Sequence, residues 1–295
     1  MKSLSYRQKY NAVIYGFTVP AILLFCFFVI SPFIRGIFLS FTNWNGYSQK
    51  YKIIGFKNYI RLFQDPNVIR ATINTLIYGL GSTLIQNICG LLLALFLNSK
   101  FKGRTVVRTC IYLPVMIASL IMGYIMYFFF TLDGAFNDIR LAFSKDAIDF
   151  LANGNRAVII MTLVNSWQFV GISMVIYLAG LQGISGMYYE AALIDGAKGF
   201  KMFTNITFPL LAPALNSSVV INLIGGLKLF DIIKALTNGG PGYDSNSLST
   251  LINRTYFASE NAGYAAAIGL IAFLLIAIIS SVATRMLNKY QEDRT

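Results

Sequence analysis

The chain of 295 residues contains no histidine. That absence removes the side chain most often used as a general base or metal ligand near neutral pH, and it weighs against catalysis. Acids are scarce as well, with 12 Asp and Glu set against 24 Lys and Arg. Charged residues of both signs make up only 12% of the chain, about half the share a soluble domain carries. Cys26, Cys89 and Cys110 all fall inside apolar runs without metal-ligand spacing, and they read as small core residues. No Gly-Lys-Ser or Gly-Lys-Thr ending follows any glycine-rich stretch, so the chain has no recognisable ATP site of its own. Neither a metal nor a cofactor is expected.

What is abundant is apolar sequence, 56% of all residues. A helix crosses the hydrocarbon core of a bilayer with about 20 mostly apolar residues, because each backbone polar group must be bonded internally. Six runs meet that requirement, and the spans are expected at about 12–34, 71–97, 109–132, 157–182, 210–233 and 261–284. The fold class is therefore all-α, a polytopic membrane protein with six transmembrane helices. Lys2, Arg7 and Lys9 precede the first run, which continues past Pro20 to Ile34 and reads as a retained helix, too long for a cleaved signal peptide. The formal charge of +12 does not make a nucleic-acid surface, because the basic residues are spread over loops.

Six spans put both termini on one side. Lys and Arg divide evenly between the two sets of loops, so their number alone does not orient the chain. The sharpest local cue is 99–108, where Lys100, Lys102, Arg104 and Arg108 stand without an acid. It is placed in the cytoplasm, which makes 35–70, 133–156 and 228–260 the outer loops. The first of these reads as a short interfacial helix between turns. The third carries the turn signal Asn238-Gly239-Gly240-Pro241-Gly242.

The loop 183–209 is the most informative. Good helix formers around Glu190-Ala191-Ala192 run to Asp195 and then to Gly196, a natural helix stop. A second mixed stretch ends at Pro209 and Pro213. Two short helices about a glycine can form a knob that inserts into a groove on a partner, or equally a connector lying on the membrane surface.

Glu190-Ala191-Ala192, Gly196, Ile206 and Phe208-Pro209 match the spacing of the EAA signature of ABC-importer permeases, with Phe208 in place of leucine. Ser40-Phe41-Thr42, Phe56-Lys57-Asn58-Tyr59, Asp65-Pro66, Asn74-Thr75 and Leu236-Thr237-Asn238-Gly239-Gly240-Pro241 extend the likeness over almost the whole chain. Together they resemble the larger membrane subunit of maltose-type sugar importers. The resemblance implies a type I ABC importer permease fold in a bacterial plasma membrane, with both termini cytoplasmic. It also implies a second homologous permease subunit, separate ATPase subunits that hydrolyse ATP, and an extracellular solute-binding protein delivering sugar, docked on 43–70 and 237–259. By the same resemblance Glu190, Ala191, Ala192, Asp195 and Gly196 form the coupling helix that seats in the ATPase.

A sugar site near the membrane midplane needs aromatic faces together with amides or hydroxyls. Asn165-Ser166-Trp167-Gln168 and Asn222, Gly225, Gly226, Lys228 and Asp231 offer these groups. The resemblance sets Trp167 at a sugar-stacking tryptophan and Asn222 at a sugar-facing polar position. Gly225 and Gly226 replace an aromatic and an asparagine, so maltose-specific contacts do not carry over. The same polar residues could instead bond helix to helix. Lys228 is costly at membrane depth. Paired with Asp231 it is structural, and free it favours an acidic sugar. Transport of a different solute such as a sugar phosphate is the nearest alternative, and an ion-coupled secondary transporter a more distant one.

Overall fold

The computed structural model describes residues 6–292, which leaves Lys2 outside the described part. Most of these residues are helical, and the one strand-like pairing among them is an isolated antiparallel bridge between Thr42 and Ile53. Five helices are long and apolar enough to span a membrane: Ile14–Ser40, Pro66–Asn98, Ser119–Ala142, Gly154–Gly183 and Ala262–Lys289. The chain divides into two units, one comprising the segment up to Phe63 with Asn253–Leu270, the other Gln64–Ile252 with the remainder after Ile271.

In the first unit, α1 (Tyr6–Phe25) passes through a π turn into α2 (Ser31–Ser40), and α3 (Lys57–Gln64) follows after a loop. The interfacial helix expected in this loop is therefore α3. Buried Asn58 locks it in place by donating to the carbonyls of Ser40 and Thr42 at 2.8 and 2.9 Å. These are the acceptors that the end of α2 would otherwise leave unsatisfied.

The second unit begins with α4 (Pro66–Leu76), a π turn at Ile77–Gly81 and α5 (Ser82–Asn98). Asp65 starts α4 by accepting from the amide of Asn67 at 2.9 Å, with Pro66 in the first turn. Then come α6 (Arg104–Tyr112), α7 (Ser119–Phe130), α8 (Ala135–Ala142) and the 30-residue α9 (Gly154–Gly183). After α9 lie α10 (Gly186–Ile194), the single turns α11 (Phe200–Met202) and α12 (Phe208–Leu210), α13 (Ala212–Leu227) and α14 (Asp231–Leu236). The last two helices are α15 (Leu248–Phe257) and α16 (Ala262–Glu292).

Two of the expected spans are interrupted. The run at 210–233 is a 16-residue helix, α13, followed by a break and the short α14. At 1.5 Å per residue such a helix rises about 24 Å, short of the roughly 30 Å hydrocarbon core. The break falls at Lys228, Leu229 and Phe230, one residue beyond Gly225-Gly226, and the freed carbonyl of Leu229 accepts from the buried Ser247 hydroxyl at 2.7 Å. The run at 109–132 likewise passes from α6 through a 3-10 turn at Leu113–Met116 and becomes extended at Ile117 before α7 begins.

Packing inside this unit centres on α9. Its upper half buries Val158, Met161 and Val164 against Ile232 and Ile233 of α14, with Tyr78 beside them. Its lower half buries Met174, Tyr177 and Leu178 against Ala94 and Leu97 of α5 and against Leu211. Lipid tails are as apolar as these side chains, so close packing and hydrogen bonds, rather than escape from water, hold such helices together. The three cysteines, expected in the core, are exposed instead, on helix faces that look outward from the chain.

Candidate functional site: a cavity between two broken helices

The two interruptions meet around one cavity of about 220 Å³. Ser119, the first residue of α7, lies on its wall, as do Lys228, Leu229 and Phe230 of the second break. Irregular backbone is tolerated at membrane depth only where protein buries it or where it lines a polar cavity, and here both conditions hold. The remaining wall comes from Gln86 of α5, Asn165, Phe169 and Ile172 of α9, and Asn222, Gly225 and Gly226 of α13, with Asp231 opening α14.

The polar groups on that wall are held firmly. Gln86, almost fully buried, donates to the carbonyl of Asn165 at 3.1 Å, while its own carbonyl oxygen has no partner. Asn222 donates to the hydroxyls of Ser173 and Ser218 at 2.6 and 3.4 Å. A buried unpaired amide oxygen costs on the order of 1–3 kcal/mol unless something reaches it. The orphaned oxygen lies buried behind the wall and not open to the cavity. Lys228 and Asp231 are both exposed on its wall, and among the described residues no ion pair joins them. Of the two readings left open by the sequence, the unpaired one describes this structure.

Gly226 sits on the wall but acts by closeness. A Cβ there would stand 2.6 Å from the hydroxyl of Ser82 and 2.9 Å from the Cα of Gly79, so α13 can touch the π turn only through a residue without a side chain.

The sequence-predicted residues separate into two places. Asn222, Gly226 and Lys228 converge on the cavity. Trp167 does not. At 3.6 residues per turn it faces away from Asn165 and Phe169, and it lines an apolar groove with Cys89, Leu92 and Leu163. Gln168 is fully buried next to the cavity, and its amide donates to the carbonyl of Ile117 at 2.9 Å, within the interruption of the third span. Sequence reasoning missed Gln86, Ser119 and Phe169. Gln86 had a readable signal, an amide inside an otherwise apolar run.

One end of the unit carries the loop 183–209. Ser185 caps α10 by accepting from the amide of Met187 at 3.4 Å. The helix ends in a Schellman turn, with Ala197 N–H donating to the Ala192 carbonyl at 2.8 Å and Gly196 N–H to the Leu193 carbonyl at 3.1 Å. Gly196 has φ of +78°, the left-handed conformation that glycine adopts without steric cost. Ala192 is buried, whereas Glu190, Ala191, Asp195 and Gly196 are exposed. Beside them Ile194 and Phe200 are 87% and 79% exposed, forming an apolar tip that none of the described residues covers.

At the other end, the turn 237–247 is bound to α4 and its π turn. Asn74 donates to the carbonyls of Asp244 and Asn246 at 2.7 and 2.9 Å, and Tyr78 donates its hydroxyl to the Ser245 carbonyl at 2.8 Å. The amide of Leu248 donates to Thr75 at 2.9 Å.

A multi-pass helical membrane protein with interrupted spans over a cavity of mixed polar and apolar lining, and an exposed knob at one end, has the anatomy of a transport permease. The chain belongs to the family of binding-protein-dependent transport system inner membrane components, whose model matches residues 86–291. It is 36% identical over 94% of its length to a probable starch degradation products transport permease, AmyD, of Thermoanaerobacterium thermosulfurigenes, covering 94% of that protein. It is 34% identical over 92% of its length to the multiple sugar-binding transport permease MsmF of Streptococcus mutans, again covering 94% of that protein. In structure it is similar to a chain of a bacterial ABC transporter involved in import of the acidic polysaccharide alginate, with TM-score 0.82, 28% identity and coverage of 95% and 96% of the two chains. The resemblance to sugar-importer permeases read from the sequence is thereby borne out.

Proposed function

We propose that this chain is the membrane-spanning permease subunit of an ATP-driven importer that takes a carbohydrate from an external binding protein. The observation that carries the reading is the cavity between the two broken spans. Its amides from Gln86, Asn165 and Asn222 and the ring of Phe169 provide hydroxyl partners and an apolar face, the combination a sugar requires. The relatives named for sugar transport support the same substrate class. A second, homologous permease completes the pore, and the knob of α10 seats in separate ATPase subunits that hydrolyse ATP. Both termini then lie in the cytoplasm with the 183–209 loop, and the binding protein docks on the opposite side, on the polar loop around 237–247.

Lys228 narrows the substrate. A lysine on the cavity wall that forms no ion pair with Asp231 favours a ligand bearing a negative charge. A uronic acid, a sialic acid or a sugar phosphate would meet that condition, and the structurally similar alginate importer handles an acidic polysaccharide. The test is uptake into proteoliposomes holding the complete importer, with neutral and acidic sugars supplied on the binding protein. Uptake that needs ATP and prefers acidic sugars supports the reading. Uptake driven by an ion gradient without ATP would sink it.

A further inference from the structure

We propose that the exposed face of α3 is a binding surface for anionic phospholipid headgroups, clamped at the end of a membrane span. The inference does not depend on which solute the protein carries. Helix α3 holds eight residues with Lys57 and Arg61 among them, so it does not cross a bilayer. Nevertheless Phe56, Ile60 and Phe63 recur at i, i+4 and i+7 and are 68%, 60% and 69% exposed. Such a stripe standing in water would be costly, whereas at the headgroup–acyl boundary it is buried to a depth of about 5–10 Å.

The stripe cannot turn inward. Asn58 and Leu62 occupy the inner face, where Asn58 holds the end of α2 through two carbonyls. The Arg61 guanidinium lies 4.2 Å from the centroid of the Tyr264 ring, which holds the helix about its axis. The amide of Gly263 donates to the Trp44 carbonyl at 2.8 Å and ties the same unit together. At the end of α2 the Phe41 ring meets Phe56 of this stripe with centroids 5.3 Å apart.

Charge identifies the occupant. Lys50, Lys52 and Lys57 are exposed, and no Asp or Glu occurs between Arg35 and Asp65. Asp65 itself is engaged in capping α4. Glu260 is the one exposed acid of this unit among the described residues, and three lysines beside the apolar stripe outnumber it. That excess of cations matches an anionic lipid surface, where each cation near the surface contributes about 1 kcal/mol, or roughly fivefold in preference. A docking protein would need a complementary acidic partner surface and would cover the stripe from the aqueous side.

The experiment uses the complete importer in nanodiscs of phosphatidylcholine with or without phosphatidylglycerol. A nitroxide is placed at Ile60→Cys after Cys26, Cys89 and Cys110 are replaced by serine. The expected result is that oxygen reaches the label better than a water-soluble nickel complex, and that phosphatidylglycerol strengthens this. In parallel, native mass spectrometry of the unlabelled complex counts retained phosphatidylglycerol, and K52Q/K57Q should lower that retention by about fivefold for each charge removed. A label equally open to nickel in both lipids overturns the proposal. So does shielding of the label by the binding protein, or retention unchanged in K52Q/K57Q.

Discussion

The side-chain amide of Gln168 donates to the backbone carbonyl of Ile117 at 2.9 Å, joining the continuous α9 to the interruption of the span before it. A helix that stops inside a membrane strands carbonyls in a medium without water, so each stranded group needs a partner from elsewhere in the protein. Gln168 supplies one. Replacing it with leucine should leave the Ile117 carbonyl bare and destabilise the protein by roughly 1–3 kcal/mol. Thermal unfolding of the purified protein in detergent checks this, with Gln168→Asn as a control that keeps the amide but shortens its reach.

On the cavity wall, Lys228→Gln should reduce uptake of acidic sugars at least tenfold while changing neutral-sugar uptake little, as expected when a charge-assisted contact of about 1.5–3 kcal/mol is lost. Counterflow uptake across a sugar panel measures the ratio. Equal losses for both classes would remove charge recognition from this lysine.

Trp167 and Asn222 should part company. Asn222→Ala empties a cavity position and disturbs Ser173 and Ser218, so KM for transport should rise severalfold. Trp167→Leu lies in the apolar groove and should leave KM unchanged. A higher KM in Trp167→Leu would return that ring to the substrate path.

At the knob, Gly196→Ala forces a side chain into the left-handed region, at a cost of about 1–2 kcal/mol. No atom stands within 4 Å of the added Cβ, so the penalty is conformational and not a clash. Transport coupled to ATP should fall while sugar binding to the cavity persists. Pull-down of the ATPase with the variant complex, read beside its ATPase rate, separates weakened seating from general unfolding.

Long apolar runs made the helical membrane fold legible, because length and composition suffice when every backbone group must bond within its own helix. The Glu190 loop was legible too, since Gly196 needs the left-handed turn that ends α10. The interruptions were not. Pro114 and Gly225-Gly226 weaken the two helices locally, but such residues also occur inside unbroken spans, and the breaks are held by Gln168 and Ser247, far along the chain. Trp167 lies apart from the cavity for a related reason: spacing along a helix fixes which residues share a face, but not which face meets the cavity. Gln86 announced itself as an amide in an apolar run, but the partners that bring it to the cavity wall appear only in the packing.

Ser247 stands at the end of the loop that Asn74, Thr75 and Tyr78 fasten down, and its hydroxyl grips the carbonyl of Leu229 on the cavity wall. The loop and the cavity therefore share one mechanical joint. A visitor pressing on the rim cannot shift the turn at 237–247 without either stretching that joint or dragging the wall residues Lys228 to Phe230 along. A push on that turn would thus reach the chamber wall through a single hydroxyl.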